Sequence, residues 1–318
     1  MENQVQQDSS NLKRTAEEAD SLLEGVKALI VDIEGTTTPI DFVKETLFPF
    51  VKENVEDYLT RKFDEEECKK DIKALRELAA NDVEDKEEGC VCIPGEDASK
   101  EDVIKACVGN VNWQMENDRK SIALKALQGH IWREGYNQEK LKAELFEDVG
   151  PNLQQIVEIG INVYVYSSGS VESQKLLFAN TDDGNLLELF TGFYDTTTGP
   201  KTDSSSYKQI AEDISCCPDE ILFLTDNPDE AGAAVKAGWR SAIVVREGNA
   251  ELSNEVFQNY LVIESFNELF GDDDDEDFKR IAGDNGELDD EEEPDDDDDL
   301  VEEEEDEVPE DDDDEDDA

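Results

Sequence analysis

The sequence is poor in histidine, methionine and tryptophan, with 1, 2 and 3 residues, and poor in basic charge, with 28 Lys and Arg against 86 Asp and Glu. Its formal net charge of −58 disfavours binding to nucleic acid, whose phosphates attract basic surfaces. No run approaches the roughly 18 to 20 apolar residues that span a bilayer, which predicts no membrane partner. The opening MENQVQQDSSNLKR lacks the apolar run of a secretory signal. These absences predict a cytoplasmic protein and leave the nucleus open as a second location.

Zinc-binding cysteine spacing is also missing. None of the six cysteines forms a pair at zinc-knuckle spacing, and the Cys-x-Cys and Cys-Cys pairs are poorly placed to bridge internally. A cytoplasmic compartment keeps such thiols reduced, so the sequence predicts structural thiols. The six are Cys68, Cys90, Cys92, Cys107, Cys216 and Cys217.

The acidic charge is concentrated in the last part of the chain. Residues 272–318 contain 32 acidic and 2 basic residues, a net charge of −30, whereas the residues before them sum to −28. This segment has almost no apolar residues to offset chain entropy, which predicts a disordered tail.

Four short apolar runs rich in β-branched residues predict buried parallel strands: VKALIVDIEG, INVYVYSSGS, ILFLTDN and SAIVVREG. Amphipathic helical stretches alternate with the last three, which predicts a doubly wound, Rossmann-like parallel α/β sheet. Three helical stretches interrupt the alternation after the first strand and predict an inserted helical cap. The predicted organisation is a polar extension at 1–25, a catalytic core at 26–41 and 140–270, a helical cap at 42–139, and a disordered acidic tail at 271–318.

Three of the predicted strands end in groups suited to phosphate chemistry, namely Asp32, Ser167 and Asp226. Ligands of open α/β sheets gather at the carboxyl ends of the strands, so we expect these groups to meet. Asp32 and Glu34, in Asp-x-Glu-Gly-Thr-Thr, pair a carboxylate nucleophile with a nearby acid, as transfer through an aspartyl-phosphate requires. Ser167 or Ser168 is predicted to bind phosphate together with the amides of the following helix.

A cation and a pair of acids complete the candidate site. Lys201, in TTTGPKTD, is a candidate to neutralise phosphate, although a surface lysine is the simpler interpretation of that residue alone. Asp226 and Glu230 are spaced to reach one metal ion, and Mg²⁺ prefers such oxygen ligands. Alone, the two acids are equally interpretable as solvated residues that complement a helix dipole.

In this order, the four elements resemble the motifs of the haloacid dehalogenase superfamily. One departure is Glu34, since typical phosphatases of the superfamily carry Asp at that place. The strings DIEGTTTPIDFVKETLFPF, LKALQGHIWREGY, VYVYSSGSVESQKLLF and ILFLTDNPDEA are similar to the acireductone synthase family, in which that Glu is usual. These are the bifunctional enolase-phosphatases of methionine salvage, and the resemblance covers residues 27–270.

The resemblance implies a monomeric enzyme acting on a small phosphate ester, 2,3-diketo-5-methylthiopentyl 1-phosphate, which it enolises and then dephosphorylates to an acireductone. It implies one Mg²⁺ per subunit, held by Asp32, the main-chain carbonyl of Glu34 and Asp226, with Glu230 as a supporting acid. Asp32 would attack phosphorus while Lys201 binds the phosphate. Glu34 would protonate the leaving enol oxygen and activate water, and it is the first candidate for the enolisation base.

Three alternatives stay open. A capped phosphatase or phosphomutase of the same superfamily would act on other phosphate esters, and Glu34 with the triple Thr run disfavours it. A dehalogenase would not need the metal ligands. A third alternative is a binding protein whose acidic tail engages basic partners such as histones.

Some further residues have two interpretations. His130 either packs, which we favour, or lines the pocket. Phe48, Phe50, Trp113 and Trp132 could form an apolar wall for the methylthio group, although core packing is favoured for each.

Overall fold

The computed structural model describes residues 21–271. The predictions for the N-terminal extension before residue 21 and for the acidic tail after Gly271 lie outside the described residues. Residues 21–25 form a turn that packs on the core, where Leu23 is buried and the Leu22 amide donates to Leu269 O at 3.0 Å. No helix in residues 21–271 is long and apolar enough to cross a membrane.

The strands are β1 (Ala28–Val31), β2 (Asn162–Tyr166), β3 (Phe190–Tyr194), β4 (Ile221–Thr225), β5 (Arg240–Val244) and β6 (Leu261–Ile263). They form one parallel sheet in the order β3-β2-β1-β4-β5-β6, which confirms the predicted fold class. The sequence patterns did not predict β3 and β6. Both are edge strands with partly exposed residues: β3, with sequence FTGFY, lacks a continuous apolar run, and β6, with sequence LVI, is only three residues long.

The helices are a π-helix (Phe42–Leu47), α1 (Phe48–Lys62), α2 (Glu66–Glu84), α3 (Lys100–Glu116), α4 (Ile122–Asn137), α5 (Val149–Glu158), α6 (Val171–Ala179), α7 (Ser204–Asp213), α8 (Pro228–Lys236) and α9 (Asn254–Asn259). Short 3₁₀ turns occupy Leu187–Leu189, Pro218–Glu220 and Phe266–Leu269. The π-helix and α1 to α4 lie between β1 and α5, within the stretch predicted as a cap. The bounds of that cap as a domain stay a prediction.

The sheet divides the hydrophobic core into two layers. In β1, Leu29 and Val31 face one cluster while Ala28 and Ile30 face the other, as the two-residue period of a strand requires. The first cluster takes in α5, α6 and the helices inserted after β1. The second is built with α7 and α8. Helices on both faces leave the carboxyl ends of the strands as the open edge where polar groups collect.

Candidate active site

The structure brings the predicted strand-end residues to one edge of the sheet. Asp32 follows β1, Ser167 follows β2 and Asp226 follows β4, and these three strands are parallel neighbours. Asp32 and Ser167 are both buried. The local cause is that the apolar run of each strand gives way to polar residues at its carboxyl end, and parallel pairing aligns these ends.

Lys201 joins this group although it is far from it in the chain. Its Nζ lies 2.8 Å from Asp32 Oδ1 and 2.6 Å from Glu230 Oε2. The lysine is only 7% exposed, which excludes the surface interpretation. Burial alone would lower its pKa, but the adjacent carboxylates of Asp32 and Glu230 outweigh it and raise the pKa. The ammonium is therefore a fixed positive charge beside the candidate nucleophile.

Asp226 is pressed against the turn that follows β1. A Cβ placed on Gly35, whose φ is +77°, would lie 2.5 Å from Asp226 Oδ2. Burial, together with the charges of Asp32 and Glu230, raises the pKa of Asp226 to about 7. The turn itself is held by Asn249, whose Nδ2 donates to Gly35 O at 2.9 Å.

The donor set fits a divalent cation. Asp32 and Glu230 share one ammonium, that of Lys201, and Asp226 adds a third carboxyl, so the cluster has a net charge of −2 when all four groups are ionised. Within residues 21–271 no three His, Cys, Asp or Glu side chains are arranged as a metal cage. Mg²⁺ matches this arrangement because it uses one or two carboxylates and keeps several waters.

Glu34 faces a cavity of about 270 Å³ beside the cluster. Burial and the charge of Asp32 raise its pKa, which favours a carboxyl that can both give and take a proton. The threonines after it are buried, and Thr37 Oγ1 donates to Asp32 O at 3.2 Å. Thr36 Oγ1 and Thr38 Oγ1 have no hydrogen-bond partner among the described residues.

The cavity lies between the strand ends and the inserted helices. Ser167, Ser168 and Lys44 line it together with apolar side chains. Phe48 and Trp132, two of the four aromatic candidates, line it with ring centroids 6.5 Å apart. Phe50 and Trp113 lie outside this lining. Trp113 instead donates through Nε1 to Glu88 O and lies beside Arg119.

The Ser167–Ser168–Gly169 loop is stabilised by residues that no sequence motif had marked. Gln174 Nε2 donates to Gly169 O at 2.8 Å, and Asp195 Oδ2 accepts from the Val171 amide at 3.1 Å. Lys125, from α4, donates to Ser168 O at 2.8 Å. No local motif marks Asp195 and Lys125, because each acts through a contact with a distant segment, and Gln174 also donates to the distant Tyr194 O at 2.8 Å.

His130 lies outside the cavity lining and belongs to an ion-pair cluster. Its Nδ1 lies 2.7 Å from Asp71 Oδ2, and its Nε2 lies 3.4 Å from Glu67 Oε1. Burial would lower the histidine pKa, but these acids outweigh it and raise the pKa. This agrees with the favoured packing interpretation and assigns the residue to the junction of α2 and α4.

Comparison with known proteins gives one family match and close relatives. Residues 26–238 match the haloacid dehalogenase-like hydrolase family. The enolase-phosphatase E1 of Xenopus tropicalis is 49% identical over 246 residues, covering 77% of this chain and 94% of that protein. That of Branchiostoma floridae is 49% identical over 259 residues, covering 78% and 85%.

A plant relative and a solved structure extend the comparison. The probable bifunctional methylthioribulose-1-phosphate dehydratase/enolase-phosphatase E1 of Sorghum bicolor is 44% identical over 244 residues, covering 76% of this chain and 47% of that protein. The crystal structure of the UTR4 protein of Saccharomyces cerevisiae has a TM-score of 0.59 at 29% identity, covering 76% of this chain and 98% of that one.

Proposed function

This chain belongs to the enolase-phosphatase E1 family of the haloacid dehalogenase-like hydrolases, and from this premise we propose that its chemistry runs through Asp32. It is a bifunctional enolase-phosphatase of methionine salvage. We propose that it converts 2,3-diketo-5-methylthiopentyl 1-phosphate, through the enol phosphate, to the acireductone 1,2-dihydroxy-3-keto-5-methylthiopentene and phosphate. The observation that carries the assignment is the cluster of Asp32, Lys201, Glu230 and Asp226 at the strand ends.

In the phosphatase step, Asp32 attacks phosphorus and becomes an aspartyl-phosphate. Its Oδ1 accepts from the Ile33 amide at 2.8 Å and from Lys201, so the carboxylate is held in one orientation. Lys201 neutralises charge on the phosphoryl oxygens as the bond to the leaving oxygen breaks. Ser167 and Ser168 bind a phosphate oxygen at the N-terminus of α6.

Mg²⁺ is the proposed cofactor, one per subunit, because the cluster has two negative charges to neutralise. Asp32, the main-chain carbonyl of Glu34, and Asp226 would hold it, and Glu230 would support them. When bound, the ion would neutralise phosphoryl charge and polarise a carbonyl oxygen as a Lewis acid. Glu230 already forms an ion pair with Lys201 and accepts a hydrogen bond from Thr225 Oγ1 at 2.9 Å. It would therefore support the metal site through these two partners.

Glu34 is the proposed proton carrier in both steps. It lines the cavity beside the phosphate-binding loop, and its raised pKa favours the protonated form that a general acid needs. In the enolase step it takes a proton from the carbon next to a carbonyl. In the phosphatase step it protonates the leaving enol oxygen and later activates water on the aspartyl-phosphate.

Other predictions from the sequence remain part of the proposal. These are a monomer and a cytoplasmic location with the nucleus left open, while binding of basic proteins by the acidic tail stays the alternative to a solubilising role. A generic capped phosphatase of the same superfamily is the remaining alternative for substrate choice, and a panel of phosphate esters separates it from the family assignment.

The Asp32→Asn variant tests the proposal. We expect it to fold and to lose phosphate release by at least about a thousandfold, because the amide cannot form the phosphoenzyme. The measurement is phosphate release and the ultraviolet absorbance of enol and acireductone from the diketo phosphate, with and without Mg²⁺. The control is Asp229→Asn, an exposed acid on α8, which should retain activity. Appreciable turnover by Asp32→Asn would exclude Asp32 as the nucleophile.

A further inference from the structure

Helix α4 presents a row of side chains to the cavity. Gln128, Trp132 and Tyr136 all line it, and their spacing of four residues places them on one helical face. The indole N–H of Trp132 already has a protein partner, because Nε1 donates to Leu47 O at 2.9 Å. Lys125 lines the same cavity one turn before Gln128.

Gln128 differs from the other buried amides. It is 5% exposed, yet its carboxamide has no hydrogen-bond partner among residues 21–271. The four other buried amide side chains of this part each donate to a protein oxygen, namely Asn110, Gln114, Asn152 and Gln174. Neither polar atom of the Gln128 carboxamide is shut off from solvent, so both stay open to the cavity, where a ligand can bind them.

Lys125 brings a second donor to the same part of the cavity. Its ammonium has three N–H groups, and two of them are used by Ser168 O at 2.8 Å and Thr196 Oγ1 at 3.2 Å. The bond to Ser168 O ties α4 to the loop that is proposed to bind phosphate, and the bond to Thr196 Oγ1 ties it to the segment after β3. Gln128 is therefore held at a fixed distance from the phosphate end of the cavity.

We propose that Gln128 is the residue that recognises the carbonyl group of the substrate and holds the oxygen on which the enol forms. This rests on the proposed function, whose substrate is a keto phosphate. In a bound substrate, the phosphate would lie at the Ser167 loop and the apolar chain would lie against Phe48 and Trp132. The carbonyl groups would then lie between these two ends, next to Gln128 on α4.

A carboxamide can hydrogen-bond to that oxygen both as a carbonyl and as an enol hydroxyl. Its N–H donates to the carbonyl and, more strongly, to the oxygen as it gains negative charge. During enolisation the C–H bonding pair becomes the carbon–carbon double bond, the carbonyl π pair moves to oxygen, and the proton goes to Glu34. The carboxamide oxygen can then accept from the enol O–H once Glu34 returns its proton to that oxygen, after which a solvent water reprotonates Glu34 before the phosphatase step.

The test is Gln128→Met, which keeps the length of the side chain and removes its hydrogen bonds. kcat/KM is measured for pentyl phosphate and for its keto analogue with a carbonyl next to the phosphate-bearing carbon. We expect a loss of roughly 10- to 100-fold on the keto phosphate, and a change within about twofold on pentyl phosphate. The diketo phosphate should show the same selective loss in the rate of enol formation.

A melting experiment separates recognition from a structural role. Because Gln128 has no protein partner, Gln128→Met should leave Tm unchanged or raise it. The matched control is Gln114→Met, which removes bonds to Asn110 at 2.7 Å and from Ser121 at 2.6 Å and should lower Tm. Equal effects of Gln128→Met on keto and saturated phosphates would overturn the proposal. If wild type rejects the diketo phosphate, the proposed function fails, while the keto-to-saturated ratio still decides the role of Gln128.

Discussion

Charge at individual residues decides how the strand-end cluster behaves. Lys201 contacts Asp32 and Glu230 directly, whereas Asp226 is influenced by both acids and lies against the backbone turn at Gly35. Buried carboxylates near like charges favour the protonated form. Asp226 is therefore destabilising for the folded protein when ionised, and a cation would reverse that effect.

The Asp226→Asn variant should show this in the metal-free protein. Between pH 3.8 and about 7 the folded carboxyl keeps a proton that the unfolded chain has lost, so rising pH lowers stability across this window. We expect Tm of the variant to exceed that of wild type by a few degrees above pH 7 and by less near pH 4. Mg²⁺ should raise Tm of wild type more than that of the variant. A Tm difference that is constant across the window would contradict the assignment.

At the scale of elements, the turn after β1 positions two of the proposed metal ligands. It reverses at Gly35, whose N donates to Thr38 O at 2.8 Å, while Asn249 and Arg246 donate to Gly35 O and Thr36 O. Arg246 also bonds Asp148 Oδ2 at 2.8 Å, so the turn is tied to α5 through a largely buried ion pair. The geometry of the site thus depends on segments far along the chain.

Gly35→Ala should damage the site more than the fold. A Cβ there would meet Asp226 Oδ2 at 2.5 Å, and displacing that carboxylate by about 1 Å is expected to lower kcat/KM roughly hundredfold. The matched control is Gly160→Ala, where φ is +89° and nothing lies within 4 Å of the added Cβ. Both variants should lose roughly 1 to 2 kcal/mol of stability from the left-handed backbone, measured by urea unfolding. Full activity in Gly35→Ala would refute the close packing of turn and carboxylate.

At the scale of the whole molecule, the charge is unusual for an enzyme with an anionic substrate. The residues before the tail already carry −28, and the tail adds −30. Repulsion of a phosphate ester by such charge acts over about 8 Å at physiological salt and over about 30 Å at 0.01 M. Four basic residues line the cavity, namely Lys44, Arg119, Lys120 and Lys125, and their local positive charge can dominate near the site only when the more distant negative charge is screened.

Removal of residues 272–318 should therefore leave catalysis almost unchanged at physiological salt. We expect kcat/KM for phosphate release within about twofold of the full chain at roughly 0.15 M salt, and a higher value for the shortened chain near 0.01 M. Mixing both proteins with a basic protein would separate tail binding from catalysis. A large loss of activity on shortening would show that the tail is needed for the reaction.

Much of this molecule followed from its sequence. The family, the parallel α/β fold and the enolase-phosphatase function predicted from it are confirmed. The apolar runs before Asp32, Ser167 and Asp226 can be recognised in the sequence, because each run and the polar residues after it are neighbours in the chain. Parallel pairing then requires these ends to meet.

Only the tertiary structure decided which distant side chains reach one another. It brought Lys201 to Asp32, assigned His130 to the acids of α2, and left Gln128 facing the cavity without a partner. No local pattern marks these outcomes, because burial and hydrogen-bond partners depend on how separate elements pack. The edge strands β3 and β6 were not predicted for the same reason, because their pairing with the sheet, and not a long apolar run, makes them strands.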